Sequence, residues 1–159
     1  MNEGQADRLQ MNKYTFADGQ TDACWYNASG EFIGDGYTEL LPEDDAATAN
    51  WGAKWQMPSK AQCDELYDTN NTERVFVTQN DVNGLLITSK RNGKSVFLPA
   101  AGYRTNDHQF GLGTACHYTT RLLAMSRSYY AQVMSYYTES ISPANARQYG
   151  RSVRPVRKQ

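Results

Sequence analysis

Phe97-Leu98-Pro99-Ala100-Ala101-Gly102-Tyr103-Arg104 is the stretch on which the reading of this chain turns. It closes a strand read over Ser95-Val96-Phe97-Leu98 and opens a segment of different character. The far border of that segment is Gly150-Arg151-Ser152-Val153-Arg154-Pro155-Val156. Between the two phrases the chain is crowded with Tyr, Ser, Thr, Asn, Arg and Gln, with weak periodicity. From Tyr103 onward lie seven of its 11 tyrosines: Tyr103, Tyr118, Tyr129, Tyr130, Tyr136, Tyr137 and Tyr149. Tyr gives a large amphipathic contact area at low entropic cost, and Ser and Asn adapt their hydrogen bonds, so this composition suits a recognition surface.

Upstream the local signals are stronger. Arg74-Val75-Phe76-Val77-Thr78, Leu85-Leu86-Ile87-Thr88-Ser89 and Ser95-Val96-Phe97-Leu98 are β-branched and aromatic enough to read as strands. The last two are joined across Lys90-Arg91-Asn92-Gly93, where Asn-Gly predicts a type I′ hairpin turn. Before them, Ser59 with Gln62 three residues on is a capping box opening a helix that runs to about Tyr67, with Cys63 and Leu66 on one face. Leu41-Pro42-Glu43-Asp44-Asp45-Ala46-Ala47 reads as the opening of a shorter helix, its acids at the positive end, closed by Trp51-Gly52.

Residues 1–36 form an irregular leading segment, with turn signals at Asp18-Gly19, Ser29-Gly30 and Gly34-Asp35-Gly36. Short strands are predicted there at Tyr14-Thr15-Phe16, Cys24-Trp25-Tyr26 and Glu31-Phe32-Ile33. Downstream, Gly111 and Gly113 mark a loop, Tyr129 to Tyr137 a strand, and Arg151 to Val156 a terminal strand in which Pro155 needs an edge. Two short helices, a small mostly antiparallel sheet and long irregular loops make an α+β domain. The domain proper is assigned to residues 37–159, with its variable face at about 105–149, in one compact unit.

At 159 residues with 40% hydrophobic content the chain supports a single core-bearing domain rather than a disordered one. No run of 18 apolar residues predicts a membrane span, and Met1-Asn2-Glu3-Gly4-Gln5 shows no signal-peptide pattern. The net charge of −1 hides a division. Residues 1–100 carry 8 Lys and Arg against 15 Asp and Glu, whereas residues 101–159 carry 8 against 2. Because the basic residues are dispersed, pairing with the acidic half explains the division better than a nucleic-acid face, and no nucleic-acid partner is expected.

Covalent chemistry finds little footing. Cys24, Cys63 and Cys116 are odd in number and widely spaced, so they read as free, mostly buried thiols. His108 and His117 near Cys116 do not form a zinc spacing and read as surface polar residues. Cys116 beside His117 would be an activated thiolate only if both faced one way, and neighbours on a strand do not. Glu43-Asp44-Asp45 lacks the alternating oxygens of a calcium loop and reads as helix capping. No metal, cofactor or catalytic residue is therefore assigned, and the chain reads as a binder, not an enzyme.

Four phrases in order carry a resemblance: Leu41-Pro42-Glu43-Asp44-Asp45-Ala46-Ala47-Thr48-Ala49-Asn50-Trp51-Gly52; Lys54-Trp55-Gln56-Met57-Pro58-Ser59; and the two that border the Tyr-rich segment. Over about residues 37–156 the chain resembles the Fibrobacter-succinogenes-major-paralogous type domain of Bacteroidetes surface proteins. It is similar in particular to the branch used as variable proteins of diversity-generating retroelements. The resemblance implies a C-type-lectin-like fold whose terminal strands pair and whose irregular upper half presents a ligand face. In that branch the C-terminal segment is rewritten at adenine-containing codons, which yield the residue types found here. Tyr118-Thr119-Thr120 lacks the Trp usual in the family, and a leading strand is not recognisable before Tyr14. The Glu-Pro-Asn and Trp-Asn-Asp signatures of calcium-dependent sugar binding are also absent, so the fold implies neither calcium nor sugar.

Carried over by position, the ligand-binding set is Thr105, Asn106, His108, Gln109, Ala115, His117, Arg121, Arg127, Tyr129, Tyr130, Gln132, Ser135, Tyr137, Asn145, Arg147, Gln148 and Tyr149. Arg127, Tyr129, Tyr130 and Tyr149 are its expected anchors, since Tyr and Arg dominate hot spots. Tyr103 and Tyr118 are assigned to packing, and alternate members of Tyr129–Tyr137 must point inward. The expected function is ligand or receptor binding on a cell surface or phage tail, towards an unknown protein or glycan, with oligomeric state left open. The alternatives are an undiversified adhesion module and an enzyme related to formylglycine-generating oxidases.

Overall fold

The computed structural model describes residue 29 and residues 38–105, 108–123, 130–137, 141–146 and 149–158. Of the leading segment only Ser29, in a turn, falls within these, so the three short strands expected there and Cys24 lie outside the described residues.

Helix α1 (Ala46–Trp51) starts later than the acidic run suggests, because Asp45 is its N-cap. One oxygen of Asp45 accepts the N–H groups of Ala47 and Thr48, each at 3.0 Å, and both oxygens take the Met57 N–H at 3.0 Å. Glu43 and Asp44 belong to the turn before the helix. Gly52 closes it, at φ 87°. After the two-residue strand β1 (Trp55–Gln56), α2 (Lys60–Tyr67) carries the expected capping box: Gln62 N–H donates to Ser59 Oγ at 3.3 Å and Ser59 N–H to Gln62 Oε1 at 3.0 Å. Cys63 and Leu66 of α2 turn to the core.

Strands β2 (Thr72–Gln79), β3 (Val82–Ser89) and β4 (Ser95–Pro99) form an antiparallel meander. Its type I′ turn is not at Asn92-Gly93 as the sequence predicts. The two consecutive positive φ angles belong to Asn80 (48°) and Asp81 (61°), between the paired residues Gln79 and Val82. Of the Lys90–Gly93 loop only Gly93 has positive φ, and its N–H reaches Ser89 O at 2.9 Å. That four-residue connection needs one left-handed residue at its end.

Past Pro99 the chain is more regular than expected. Strands β5 (Tyr103–Thr105), β6 (His108–Phe110), β7 (Ala115–Leu123), β8 (Tyr130–Tyr137), β9 (Ile141–Ala146), β10 (Gly150–Arg151) and β11 (Val156–Arg157) follow. The described residues thus hold few helices and four small antiparallel sheets: β1-β11, β10-β5-β6, β2-β3-β4 and β7-β8-β9. Strand β7 escapes a periodicity reading because Ala115, Cys116, His117 and Tyr118 are all buried, which erases alternation. The single terminal strand expected over Arg151–Val156 is divided. Gly150–Arg151 pairs with β5, Ser152 makes a parallel bridge to Tyr118, and Val156–Arg157 pairs with β1. Pro155, with no N–H to give a ladder, lies between the pieces.

The core gathers Cys63, Leu85, Ile87, Leu98, Ala100, Cys116, Tyr118 and Met134, with Leu66, Tyr67, Phe76, Val96 and Tyr136 packed against it. It joins α2 to the inner faces of β2-β3-β4 and β7-β8-β9. The phrase Phe97–Arg104 connects three sheets. Ala100 N–H donates to Asn83 O (2.8 Å), Gly102 N–H to Ala115 O (2.9 Å), and Gly113 N–H to Ala100 O (2.7 Å). Gly102 sits at φ +64°, and a Cβ there would lie 1.9 Å from the carbonyl oxygen of Phe110, so no other residue fits.

Candidate functional site

The sheet β10-β5-β6 carries the most distinctive side-chain arrangement among the described residues. Its register sets Arg151 beside Tyr103 and Tyr103 beside Phe110, then Thr105 beside His108, all on one face. Strand spacing brings the rings into a ladder. Tyr149 stacks on Tyr103 (centroids 5.3 Å, planes 16° apart), Tyr103 on Phe110 (5.4 Å, 19°), and Phe110 meets His108 at 6.2 Å. The Arg151 guanidinium caps the far end, 5.2 Å from the centroid of Tyr149. Each ring pair adds about 0.5–1.5 kcal/mol beyond its buried area. Phe110 keeps 44% of its surface in solvent, and His108 and Leu112 are exposed beside it.

His117 supports the ladder from below. Its ring meets Tyr103 edge-on at 5.0 Å, and its Nδ1 shares a 2.8 Å hydrogen bond with Ser135 Oγ. Only 1% of His117 is exposed. Burial first, and the nearby Arg151 charge second, lower its pKa to about 4, so the imidazole is neutral at physiological pH. The surface role expected for His117 is therefore corrected. Ala115 and Ser135 are likewise buried and give a ligand no contact area. All three lie where β7 and β8 are covered on both faces, which exposed polar composition alone does not reveal.

Arg121, also in the expected set, staples parts of the chain together. It pairs with Glu39 (Nε to Oε2, 3.2 Å), donates to Gln56 Oε1 at 2.9 Å and to Leu40 O at 3.4 Å, and so ties residues 39–40 and β1 to β7. The pair joins the acidic and basic halves of the chain. Of the remaining expected set, Thr105, His108, Gln109 and Tyr149 come together around the ladder sheet. Gln109, on the opposite face from Phe110, donates to Ala101 O at 3.1 Å. Tyr130, Gln132 and Tyr137 take positions on β8, and Asn145 on β9 pairs with Ala131. Asn106, Arg127, Tyr129, Arg147 and Gln148 lie outside the described residues.

Phe110 and Arg151 stand outside the expected set yet belong to this arrangement, and Tyr103, expected to pack, lies at its centre. Tyr118 does pack, its hydroxyl donating to Pro99 O at 2.9 Å. The turn-favouring Asn106-Asp107 pair between Thr105 and His108 was the available signal that Tyr103 and Phe110 face each other across two strands.

Cys116 and His117 face opposite ways, as strand geometry requires: the thiol reaches Leu98 O at 3.2 Å in the core. Burial raises the pKa of Cys63 to about 11 and also raises that of Cys116, so both thiols stay protonated. Among the described residues no three His, Cys, Asp or Glu side chains gather as metal ligands, and no helix is long and apolar enough to cross a membrane. No family model, no curated protein and no solved structure matches the chain.

Proposed function

We propose that the protein is a ligand-binding variable protein with a C-type-lectin-like frame, its C-terminal surface diversified by a retroelement and displayed on a cell surface or a phage tail. The observation that carries this reading is the aromatic ladder. Residues scattered over some 45 positions of the Tyr-rich segment gather on one half-exposed face, braced by buried His117 and Ser135. Rigid aromatic anchors on a fixed support are what a paratope needs, because little ordering entropy is then lost on binding. His108, Phe110 and Tyr149, with Thr105 at the border, would make the contacts, and Arg151 would hold Tyr149 in place. The partner class is an exposed protein or glycan of another cell.

The test is the DNA around the coding region. A near-copy of the sequence for residues 105–156, differing at adenines and lying beside a reverse transcriptase, supports diversification. A complete locus without one overturns it and leaves an undiversified adhesion module. The paratope is tested separately by immobilising the protein and its Phe110→Ala and Tyr149→Ala variants over cells or glycans that the parent retains. Retention unchanged in both variants rejects this face as the binding site.

A further inference from the structure

Strand β2 stands at the edge of its sheet among the described residues. Among the described residues it pairs only with β3, through eight consecutive residues from Thr72 to Gln79 with no shift of register. Proteins usually guard such an edge with proline, a bulge or inward charge, because a regular free strand is a template for another chain. Here the sequence Thr72-Glu73-Arg74-Val75-Phe76-Val77-Thr78-Gln79 contains no proline, its centre is Val-Phe-Val, and its one inward charge, Arg74, is engaged by the Tyr67 ring of the same chain.

The outer face of the same sheet is also apolar. Thr72, Arg74 and Phe76 turn inward: Thr72 Oγ1 donates to Leu66 O at 2.9 Å, Arg74 lies over the Tyr67 ring, and Phe76 packs on the core. Alternation therefore places Val75 and Val77 outward, in rows with Leu86 and Phe97 and with Gly84 and Pro99. Val75 is 56% exposed and Val82 45%. The Phe97 ring occupies the space over Gly84, where a Cβ would come within 2.6 Å of it.

We propose that β2 is the seam of a two-fold homodimer, pairing antiparallel with β2 of a second copy about Phe76. The occupant follows from the strand's own near-palindrome. A two-fold axis perpendicular to the sheet must set each residue against one of equal displacement on the other side of the centre. Centred on Phe76, that sets Val75 against Val77 of the second copy, Arg74 against Thr78, and Glu73 against Gln79. No like charges meet, and the carboxylate of Glu73 faces an amide that can donate to it. The product is a six-stranded sheet whose outer face carries four adjacent valines at the seam, each shielded by its neighbours. An unrelated strand would satisfy the backbone groups equally, but only a second copy guarantees this side-chain match.

Sedimentation or light scattering on the full chain across micromolar concentrations tests the seam. The expected result is a concentration-dependent dimer. The double variant Val75→Lys/Val77→Lys sets lysine against lysine in each outward pair and should raise the dimer Kd by about tenfold or more. The double variant Val75→Glu/Val77→Lys sets opposite charges in the same pairs and should recover most of that loss. Circular dichroism of each variant confirms that the fold persists. A chain that stays monomeric at high micromolar concentration overturns the proposal. So does a dimer indifferent to both variants, or one that the opposite-charge pair fails to recover.

Discussion

The core between α2 and the β3 and β7 strands and the aromatic ladder on β10-β5-β6 are both built from large side chains, yet they are held differently. In the core, Leu85, Ile87 and Leu98 are fully enclosed and gain from burial on every side. In the ladder, Tyr149, Tyr103 and Phe110 face one another and leave part of their surface to water. Burial therefore fixes the first region, while strand register and one buried imidazole fix the second. A molecule divided in this way can change its exposed rings without endangering its frame.

Substitutions should separate the two regions in a definite order. Gly102→Ala comes first, since its Cβ would meet a backbone carbonyl at 1.9 Å in a left-handed conformation. A loss of about 4 kcal/mol or more in urea unfolding, or failure to fold, is expected there. Leu85→Ala should cost about 2–5 kcal/mol, because it opens a cavity in the core. A cost under about 1 kcal/mol would place the real centre of packing elsewhere. Asp45→Ala removes the α1 cap and the acceptor of the buried Met57 N–H, for a loss of about 1–3 kcal/mol.

His117 supplies a pH test of the ladder's support. Its folded pKa of about 4 lies below the ordinary 6.5, so between these values the unfolded chain binds the extra proton. The stability tied to neutral His117 is complete above pH 6.5 and is lost as pH falls towards 4. His117→Asn, which keeps a group near the Nδ1 position, should flatten the fall in Tm over that window. Equal slopes in parent and variant would show that the imidazole is not buried neutral. Phe110→Ala and Tyr149→Ala should have the smallest effect on stability, about 1 kcal/mol each, while abolishing retention of the partner. If either unfolds the protein as Leu85→Ala does, the ladder belongs to the core.

Much of the frame was legible because its signals are local. Ser59 and Gln62 fix a cap, Gly52 ends a helix, and the β-branched runs at 74–78 and 85–89 form strands wherever they find partners. The turn between β2 and β3 was missed because Asn80-Asp81 carries no glycine, although both residues tolerate positive φ. Strand β7 was missed because burial on both faces removes the alternation that identifies a strand. The site was less legible still. Arg121 and His117 have the residue types of a binding face, and only their neighbours, Glu39 and Gln56 for one and Ser135 and Tyr103 for the other, reveal their structural work.

The pairing of β11 with β1 carries a consequence for synthesis. Gln56 meets Val156 across 100 residues, and Lys158 N–H donates back to Lys54 O at 2.9 Å. A contact so distant in sequence forms late, because a long loop must close before it can contribute. During synthesis, β1 therefore waits for the 100 residues that separate it from β11 to emerge. A polypeptide cut short between Tyr118 and Ser152 would leave β1 without its partner strand and Tyr118 without its bridge to Ser152. A chain that stops before β11 would therefore expose the edge of β1, which gives a protease a site that the β1-β11 pair covers.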